Sequence, residues 1–309
     1  MKLSDSSHNY DLVVVGGGPA GISCALECHE NALDVVVLER EKRVGGQLPQ
    51  IPSPVYNFAA GFFENGEQMR DQMEKVAQMF LTDRVKTGCE VLSVNLSKKE
   101  VVTSQGTYTG KTILLSTGYR VRRLEMAIPD EYAGDVLYRS GIHREELKGK
   151  EVVIIGSGDS AVFTALDLAE YCSHITVLAR SNMFKARPDI VARMHDSKII
   201  EVHTNSVVTS LRGNGKLESV IVSNESTEFE VKCSKVIAKL GYLPNTELFS
   251  EQLESSRGHI IVNPQFATSI DGVFAAGDIA QPGYDRVAFA VGSGVMAARS
   301  IRVVLGQTP

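Results

Sequence analysis

Residues 11–40 read "DLVVVGGGPAGISCALECHENALDVVVLER", and residues 151–180 read "EVVIIGSGDSAVFTALDLAEYCSHITVLAR". The two stretches align without a gap, setting Gly16 on Gly156, Gly18 on Gly158, Ala25 on Ala165 and Arg40 on Arg180. Each opens with a β-branched run, passes through a glycine-rich turn, continues with apolar residues at helical spacing and closes on a second β-branched run. That order predicts strand, tight turn, helix and a second strand parallel to the first. Two such units in one chain predict an α/β fold.

The first turn, Gly16-Gly17-Gly18-Pro19-Ala20-Gly21, has glycine at its first, third and sixth positions. The first permits the tight turn, the second lets backbone approach a pyrophosphate, and the third lets the helix pack closely on the strand. Phosphates then meet the positive end of the helix. The second strand of this unit, residues 34–38, ends in Glu39 and Arg40. A carboxylate at that distance from the glycines suits ribose hydroxyls. The expected fold is therefore α/β with two doubly wound, Rossmann-like nucleotide-binding domains.

The second turn is Gly156-Ser157-Gly158-Asp159-Ser160-Ala161, and its following strand, residues 174–178, ends in Ala179 with no carboxylate. Loss of the acid removes one reason to expect NADH. Arg180, Lys185 and Arg187 either meet phosphate groups or form a solvated basic loop. Near the C-terminus, residues 268–276 read as a strand running into Gly277-Asp278, with a small-residue apolar helix from about Arg286. A carboxylate in that place can face a ligand's polyol.

Composition narrows the classes. The chain has 309 residues, 43% hydrophobic and 22% charged, which suits a globular protein with room for two domains. A net charge of −5 without long basic blocks argues against nucleic-acid binding. No apolar run of membrane-span length stands out, and the polar N-terminus lacks a signal-peptide core, so a cytoplasmic protein without a transmembrane segment is expected. Five cysteines, Cys24, Cys28, Cys89, Cys172 and Cys233, do not make a disulfide scaffold. No metal site is expected.

The succession of these turns with "GGQL" (residues 45–48), "STG" (116–118), "GYLPNT" (241–246) and "GVFAAGDI" (272–279) resembles the low-molecular-weight thioredoxin reductases over nearly the whole chain. The resemblance implies an FAD domain from residues 1–117 and 244–309, a second nucleotide (NADPH-type) domain over 118–243 inserted into the first, and a homodimer. It places FAD along Gly16, Gly18, Pro19, Ala20 and Gly21, with Glu39 and Arg40 at its ribose. Gly46, Gln47, Asn57, Gly118, Gly277, Asp278, Arg286 and Val287 then line the rest of the cofactor. The second nucleotide would use Gly156, Gly158, Asp159, Ser160, Arg180 and Lys185.

The family's redox C-x-x-C-D falls on Arg139-Ser140-Gly141-Ile142-His143, where both cysteines are absent. Thiol exchange needs sulfur there, so the usual transfer to a thioredoxin is not expected. Three readings follow. The leading one resembles the diflavin-linked disulfide oxidoreductases of photosynthetic prokaryotes, in which flavin exchanges electrons with a thiol/disulfide couple and a second FAD occupies the former NADPH site. Another resembles the NAD(P)H-dependent ferredoxin/flavodoxin-type reductases with one FAD, serving a small-molecule or protein redox partner. The third is a non-enzymatic flavin sensor. For a thiol pair the nearest spacing is Cys24-x-x-x-Cys28, which shares a helical face but exceeds disulfide reach without distortion, so the same residues also read as packed thiols. His143 reads either as a proton shuttle or as a surface residue. On these losses a second FAD is ranked ahead of NADP(H).

Overall fold

The computed structural model describes residues 8–51, 54–59, 61–138, 144–224, 227–280, 283 and 286–307. The chain opens with β1 (Asn9–Val15), α1 (Pro19–Glu30) and β2 (Val35–Leu38), followed by α2 (Gly66–Phe80) and β3 (Val85–Lys86). Three strands follow: β4 (Val91–Asn95), β5 (Glu100–Thr103) and the long β6 (Gly106–Leu115). After β7 (Tyr119–Val121) come β8 (Val136–Leu137), β9 (Glu151–Ile155), α3 (Asp159–Leu168), β10 (His174–Leu178), α4 (Pro188–His195) and β11 (Ile200–His203). An antiparallel run, β12 (Val207–Gly213), β13 (Leu217–Ser223) and β14 (Glu228–Lys232), precedes β15 (Lys235–Ala238) and β16 (Tyr242–Pro244). The chain closes with β17 (Ser255–Ser256), β18 (His259–Ile260), β19 (Val273–Ala275) and α5 (Val287–Val304).

These elements form two compact units. One comprises Met1–Arg120 with Leu243–Pro309, and the other is Val121–Tyr242. In the first, the sheet order is β3-β2-β1-β6-β5-β4, and β19 also pairs in parallel with the end of β6. β2 and the C-terminal ends of β1 (Leu12–Val15) and β6 (Ile113–Leu115) are buried on both faces, which is why these stretches read as unbroken runs of Val, Ile and Leu instead of alternating. One face packs Leu12, Val14, Val35, Val37 and Leu114 under α1 and α5; the other packs Val13, Val36, Ile113 and Leu115 against Phe249 and Ile260. The second unit repeats the plan with the all-parallel order β11-β10-β9-β15-β8.

The sequence repeat is a structural repeat, bond for bond. β1 pairs β2 through Leu12↔Val35 to Val15↔Leu38, and β9 pairs β10 through Val152↔Ile175 to Ile155↔Leu178. Gly16 N–H donates to Leu38 C=O at 2.9 Å, and Gly156 N–H donates to Leu178 C=O at 2.9 Å. Each turn is thereby locked onto the end of its second strand, delivering the residue after that strand to the turn.

Two expectations need correction. Residues 268–276 are not one strand: only Val273–Ala275 pair with β6. Thr268 and Val273 instead close a loop, Thr268 N–H donating to Val273 C=O at 3.0 Å, with Gly272 at φ +72°. An Asp-Gly step that reverses the chain there outweighs the flanking β-branched residues. The second is α5, the one described helix with the length and apolar composition of a membrane span. Its Ala290, Ser293, Gly294, Ala297, Ala298 and Ile301 are buried on the side that packs on α1 and the sheet, while Val295, Met296, Val303 and Val304 are exposed on the other.

Candidate functional site

In the first unit, α1 begins at a groove walled by backbone. A Cβ on Gly21 would run into Gly16 O, and one on Gly16 would lie 2.5 Å from Ser116 O, so both glycines hold the helix against the strand ends. Gly18 is the N-cap of α1 with no side-chain cap, and Pro19 occupies the first turn, leaving amides free at the positive end of the helix. Facing Gly18 is Gly46, at whose Cβ position the Gly18 Cα would be 3.2 Å away. Gly45 N–H donates to Gly17 C=O at 2.8 Å, fixing the two loops to each other. Pyrophosphate-sized anions fit such a side-chain-free cradle.

Glu39 is 7% exposed, and each of its oxygens has a backbone donor: Gly17 N–H at 2.7 Å and Glu41 N–H at 2.8 Å. Burial pushes its carboxyl above the ordinary value, and those two hydrogen bonds partly oppose the shift. A carboxylate with two oxygens and about four acceptor sites still has capacity for ribose hydroxyls. Arg40, beside it, is exposed and pairs with Glu41 at 3.4 Å.

At the other end of the groove, Gln47 Nε2 donates to Asp278 Oδ2 at 3.3 Å across 231 positions of sequence. Asp278 lies in a one-turn helix, Gly277–Ile279, whose Gly277 N–H donates to Ser293 Oγ of α5 at 3.0 Å. Ala20 packs beneath it: Cβ atoms added at Gly277 and Gly294 would both meet Ala20. Gly118 brings its backbone close to Gln47 Nε2, at 3.6 Å from a built Cβ. Arg286 is the exposed N-cap residue of α5, and Val287 packs with Leu48, Val55 and Met69. Asn57 lies exposed on the loop before α2.

The second unit builds the same cradle with different edges. A Cβ on Gly156 would meet Lys239 O, and Gly158 is the uncapped N-cap of α3. The loop after β10 folds across the turn: Lys185 N–H and Ala186 N–H donate to Ser157 C=O at 2.7 and 3.1 Å, and Arg187 N–H donates to Asp159 Oδ1 at 2.8 Å. Arg187 also lies over the Phe163 ring at 5.3 Å. Ser160 is exposed on the first turn of α3, and its C=O accepts from Thr164. Ala179, in the place of Glu39, is fully buried, while Arg180 beside it is exposed.

A model of the pyridine nucleotide-disulphide oxidoreductases matches residues 10–294, spanning both cradles. The chain belongs to that family. Within it the thioredoxin reductase of Rickettsia felis is 32% identical over 309 residues, covering 96% of this chain and 98% of that protein. The "34.2 kDa protein in rubredoxin operon" of Clostridium pasteurianum is 29% identical over 301 residues, covering 96% and 97%. Among solved structures, Lactococcus lactis thioredoxin reductase in its FR conformation superposes with a TM-score of 0.78 at 26% identity, covering 96% of this chain and 99% of that one. The family is one of flavin-dependent oxidoreductases, and this chain is of its thioredoxin-reductase type.

All five cysteines are buried and free. Cys24 and Cys28 sit at 0% exposure in the core between α1 and the sheet. Burial, with the neighbouring Cys28 thiol, drives the Cys24 thiol well above its ordinary value, and burial raises Cys172 to about 11 and Cys233 to about 12. Thiolate is the reactive form, so these placements favour the packed-thiol reading of Cys24 and Cys28. His143, with residues 139–143, lies outside the described residues. Sequence reasoning missed Arg43, which ties the loop before Gly45 to Glu67, Asp71 and Glu74 of α2, and Arg70 of α2, whose stem lies against Gly45; no periodicity marks contacts between a loop and a helix so far apart in sequence.

Proposed function

We propose that the chain is an NADPH-dependent FAD oxidoreductase of the thioredoxin-reductase type that delivers electrons to an external acceptor without a dithiol of its own. The observation that carries this reading is the contrast at the ends of the two repeats: buried Glu39 in one, and buried Ala179 flanked by Arg180 in the other, with Lys185 on the loop folded over the turn. FAD and NADH both present free adenosine-ribose hydroxyls, which favour an acid, whereas a 2′-phosphate favours cations and no acid. FAD therefore suits the Glu39 cradle and NADP(H) the Ala179 cradle. A second FAD at residues 156–161 fits less well than the sequence ranking held, because it would bring the same hydroxyls that Ala179 cannot bind.

The first groove accommodates FAD through its glycine walls at residues 16–18 and 45–46, the acceptor capacity of Glu39, and the Gln47–Asp278 pair at the far end. When bound, the flavin supplies two-electron chemistry that links a nicotinamide to one- or two-electron acceptors. The net reaction oxidises NADPH to NADP⁺ and a proton, and the acceptor gains the two electrons. With every cysteine buried, no thiol of this chain stands ready to relay them.

Flavin released per chain, followed by anaerobic titration with NADPH, NADH and a dithiol, tests the proposal. One FAD per chain, bleached faster by NADPH than by NADH, is expected. Two FAD per chain, bleached by dithiol and not by NADPH, would overturn it in favour of the diflavin enzyme. A colourless protein that takes up no flavin would overturn both.

A further inference from the structure

Resting on that reading, we infer that Asp159 is a positioning residue that sets the choice of nucleotide: its carboxylate fastens the loop after β10 to the second glycine turn, which holds Lys185 there as a cation for the 2′-phosphate. The gap-free match of the two repeats continues past their second strands into this loop. Gly45 N–H donates to Gly17 C=O at 2.8 Å in the first copy, and Lys185 N–H donates to Ser157 C=O at 2.7 Å in the second. Lys185 thus stands to Ser157 as Gly45 stands to Gly17. The first copy has no side chain at that place, and the second has an exposed lysine.

The copies diverge at two further matched positions, Pro19 against Asp159 and Gln47 against Arg187, and in the second copy these two residues bond each other. Arg187 N–H donates to Asp159 Oδ1 at 2.8 Å, and Arg187 Nε lies 3.8 Å from Asp159 Oδ2. Pro19 offers no acceptor side chain, and Gln47 turns instead to Asp278. Asp159 opens α3, where the helix dipole favours a carboxylate. The Arg187 guanidinium also lies 3.8 Å from Asp189 Oδ1 and over the Phe163 ring at 5.3 Å, so its charge is met within the second unit. Arg180 and Lys185, by contrast, are exposed and make no ion pair among the described residues. Ala186, between Lys185 and Arg187, is buried in the core of this unit. Of the backbone N–H groups that fix Lys185, Ala186 and Arg187 to the turn, only that of Arg187 depends on a side chain, the carboxylate of Asp159. A loop ordered before the ligand arrives spares the cost of ordering it on binding.

The clamp and its consequence are measured separately. Trypsin is added to wild type, Asp159→Ala and Asp159→Asn without nucleotide, and cleavage after Arg180 and Lys185 is timed by mass spectrometry. Asp159→Ala should be cut there about tenfold faster, because Arg187 N–H loses its acceptor, whereas Asp159→Asn keeps an acceptor oxygen and should stay within about threefold of wild type. Unchanged cleavage in Asp159→Ala would overturn the clamp. Half-saturation concentrations of NADPH and NADH are then read from anaerobic flavin bleaching. In Asp159→Ala the preference for NADPH over NADH should fall by about tenfold, with the loss in half-saturation and not in limiting rate, and Asp159→Asn should retain it. The ratio cancels whatever a lost carboxylate does to both nucleotides at their shared pyrophosphate. Arg187→Met should keep the ratio within about threefold, since the backbone N–H that Asp159 holds remains. An unchanged ratio in Asp159→Ala, or equal loss for both nucleotides, would overturn the specificity role. Asp159→Asn as damaging as Asp159→Ala would show a direct effect of charge in place of the clamp, and an equal loss in Arg187→Met would make the guanidinium itself the phosphate ligand; either result overturns the inference. Wild type bleached by neither nicotinamide would overturn the functional reading itself, a result distinguishable from the others because it shows in the unmutated protein.

Discussion

Gly21→Ala is the substitution on which the description of the first cradle stands or falls. The added Cβ would overlap Gly16 O and lie 2.7 Å from Ser116 Oγ and 3.1 Å from Val14 Cγ1. None of these neighbours can yield easily. Gly16 O belongs to the turn itself, and Ser116 Oγ is held by bonds to Val15 O at 3.1 Å and Gly16 O at 3.0 Å. An ordinary carbon–oxygen contact is about 3.3 Å, so the start of α1 must retreat by roughly 1 Å. Overpacking of this kind costs about 1–3 kcal/mol, against a gain of up to about 1 kcal/mol for alanine over glycine in a helix. The net expectation is a loss of about 1–2 kcal/mol in stability. The second repeat supplies the control, since it carries Ala161 at the same place. Ala161→Gly makes no clash and costs about 1 kcal/mol in helix propensity plus about 0.8 kcal/mol for the buried methyl. Urea unfolding should therefore show similar losses for both variants, whereas flavin content should fall only in Gly21→Ala, because only there does the amide end of α1 leave the cradle. Full flavin content and unchanged stability in Gly21→Ala would refute the helix–turn packing.

Thiol titration with a disulfide reagent should find five slow-reacting thiols in the native protein and five rapid ones after denaturation, because all five are buried and free; a fast native pair, or fewer than five after denaturation, would restore a redox disulfide. Asp135 gives the pH dependence of the second unit. Burial alone would raise its carboxyl, but the Lys235 ammonium at 2.6 Å and Leu217 N–H at 2.9 Å outweigh it and hold it below the ordinary value. Its stabilisation is thus present above the unfolded value, about 3.9, and lost as pH falls through the lower folded one. Asp135→Asn should cost about 1–3 kcal/mol at neutral pH, with the difference from wild type shrinking in strong acid; a constant difference would remove the ionised carboxylate from the account.

The parts of the fold readable from residue order are those set by local backbone chemistry. The glycine turns, the β-branched runs and the carboxylate at Glu39 all lie within about 30 residues of one another, and the repeat marks them twice. What could not be read depends on contacts between distant segments. The Gln47–Asp278 bond joins residues separated by most of the chain, and Arg70 takes up the space of Gly45 without any pattern linking them. Residues 268–276 show the opposite failure: their β-branched content suggested a strand that the Asp271-Gly272 reversal cuts short. The Cys24/Cys28 spacing was ambiguous for a similar reason, because burial, which decides the thiol's state, is not a property of spacing.

The most informative difference between the repeats is a pair of positions, not one. Gly17 and Glu39 in the first copy correspond to Ser157 and Ala179 in the second. A Cβ on Gly17 would lie 2.9 Å from Glu39 Oε2 and 3.1 Å from Glu39 Cβ, so the acid and a side chain at the neighbouring position exclude each other. The second copy has the complementary solution: a side chain at Ser157, and a small residue at the strand end. Converting one solution into the other therefore needs both changes. In Ser157→Gly/Ala179→Glu the new carboxylate would meet Ser157's backbone N–H, retained in the glycine, and Ser181 N–H, the counterparts of the two donors that hold Glu39. It would bind ribose hydroxyls and repel a 2′-phosphate, so the preference for NADPH over NADH should fall by about tenfold or more. Ala179→Glu alone should be poorly folded, for want of the space that Gly17 leaves in the first copy. Rates of anaerobic flavin bleaching by the two nicotinamides, measured with thermal stability, separate these effects. An unchanged preference in a well-folded double variant would show that the residue after β10 does not set the choice of nucleotide, and the contrast between Glu39 and Ala179 would lose its meaning.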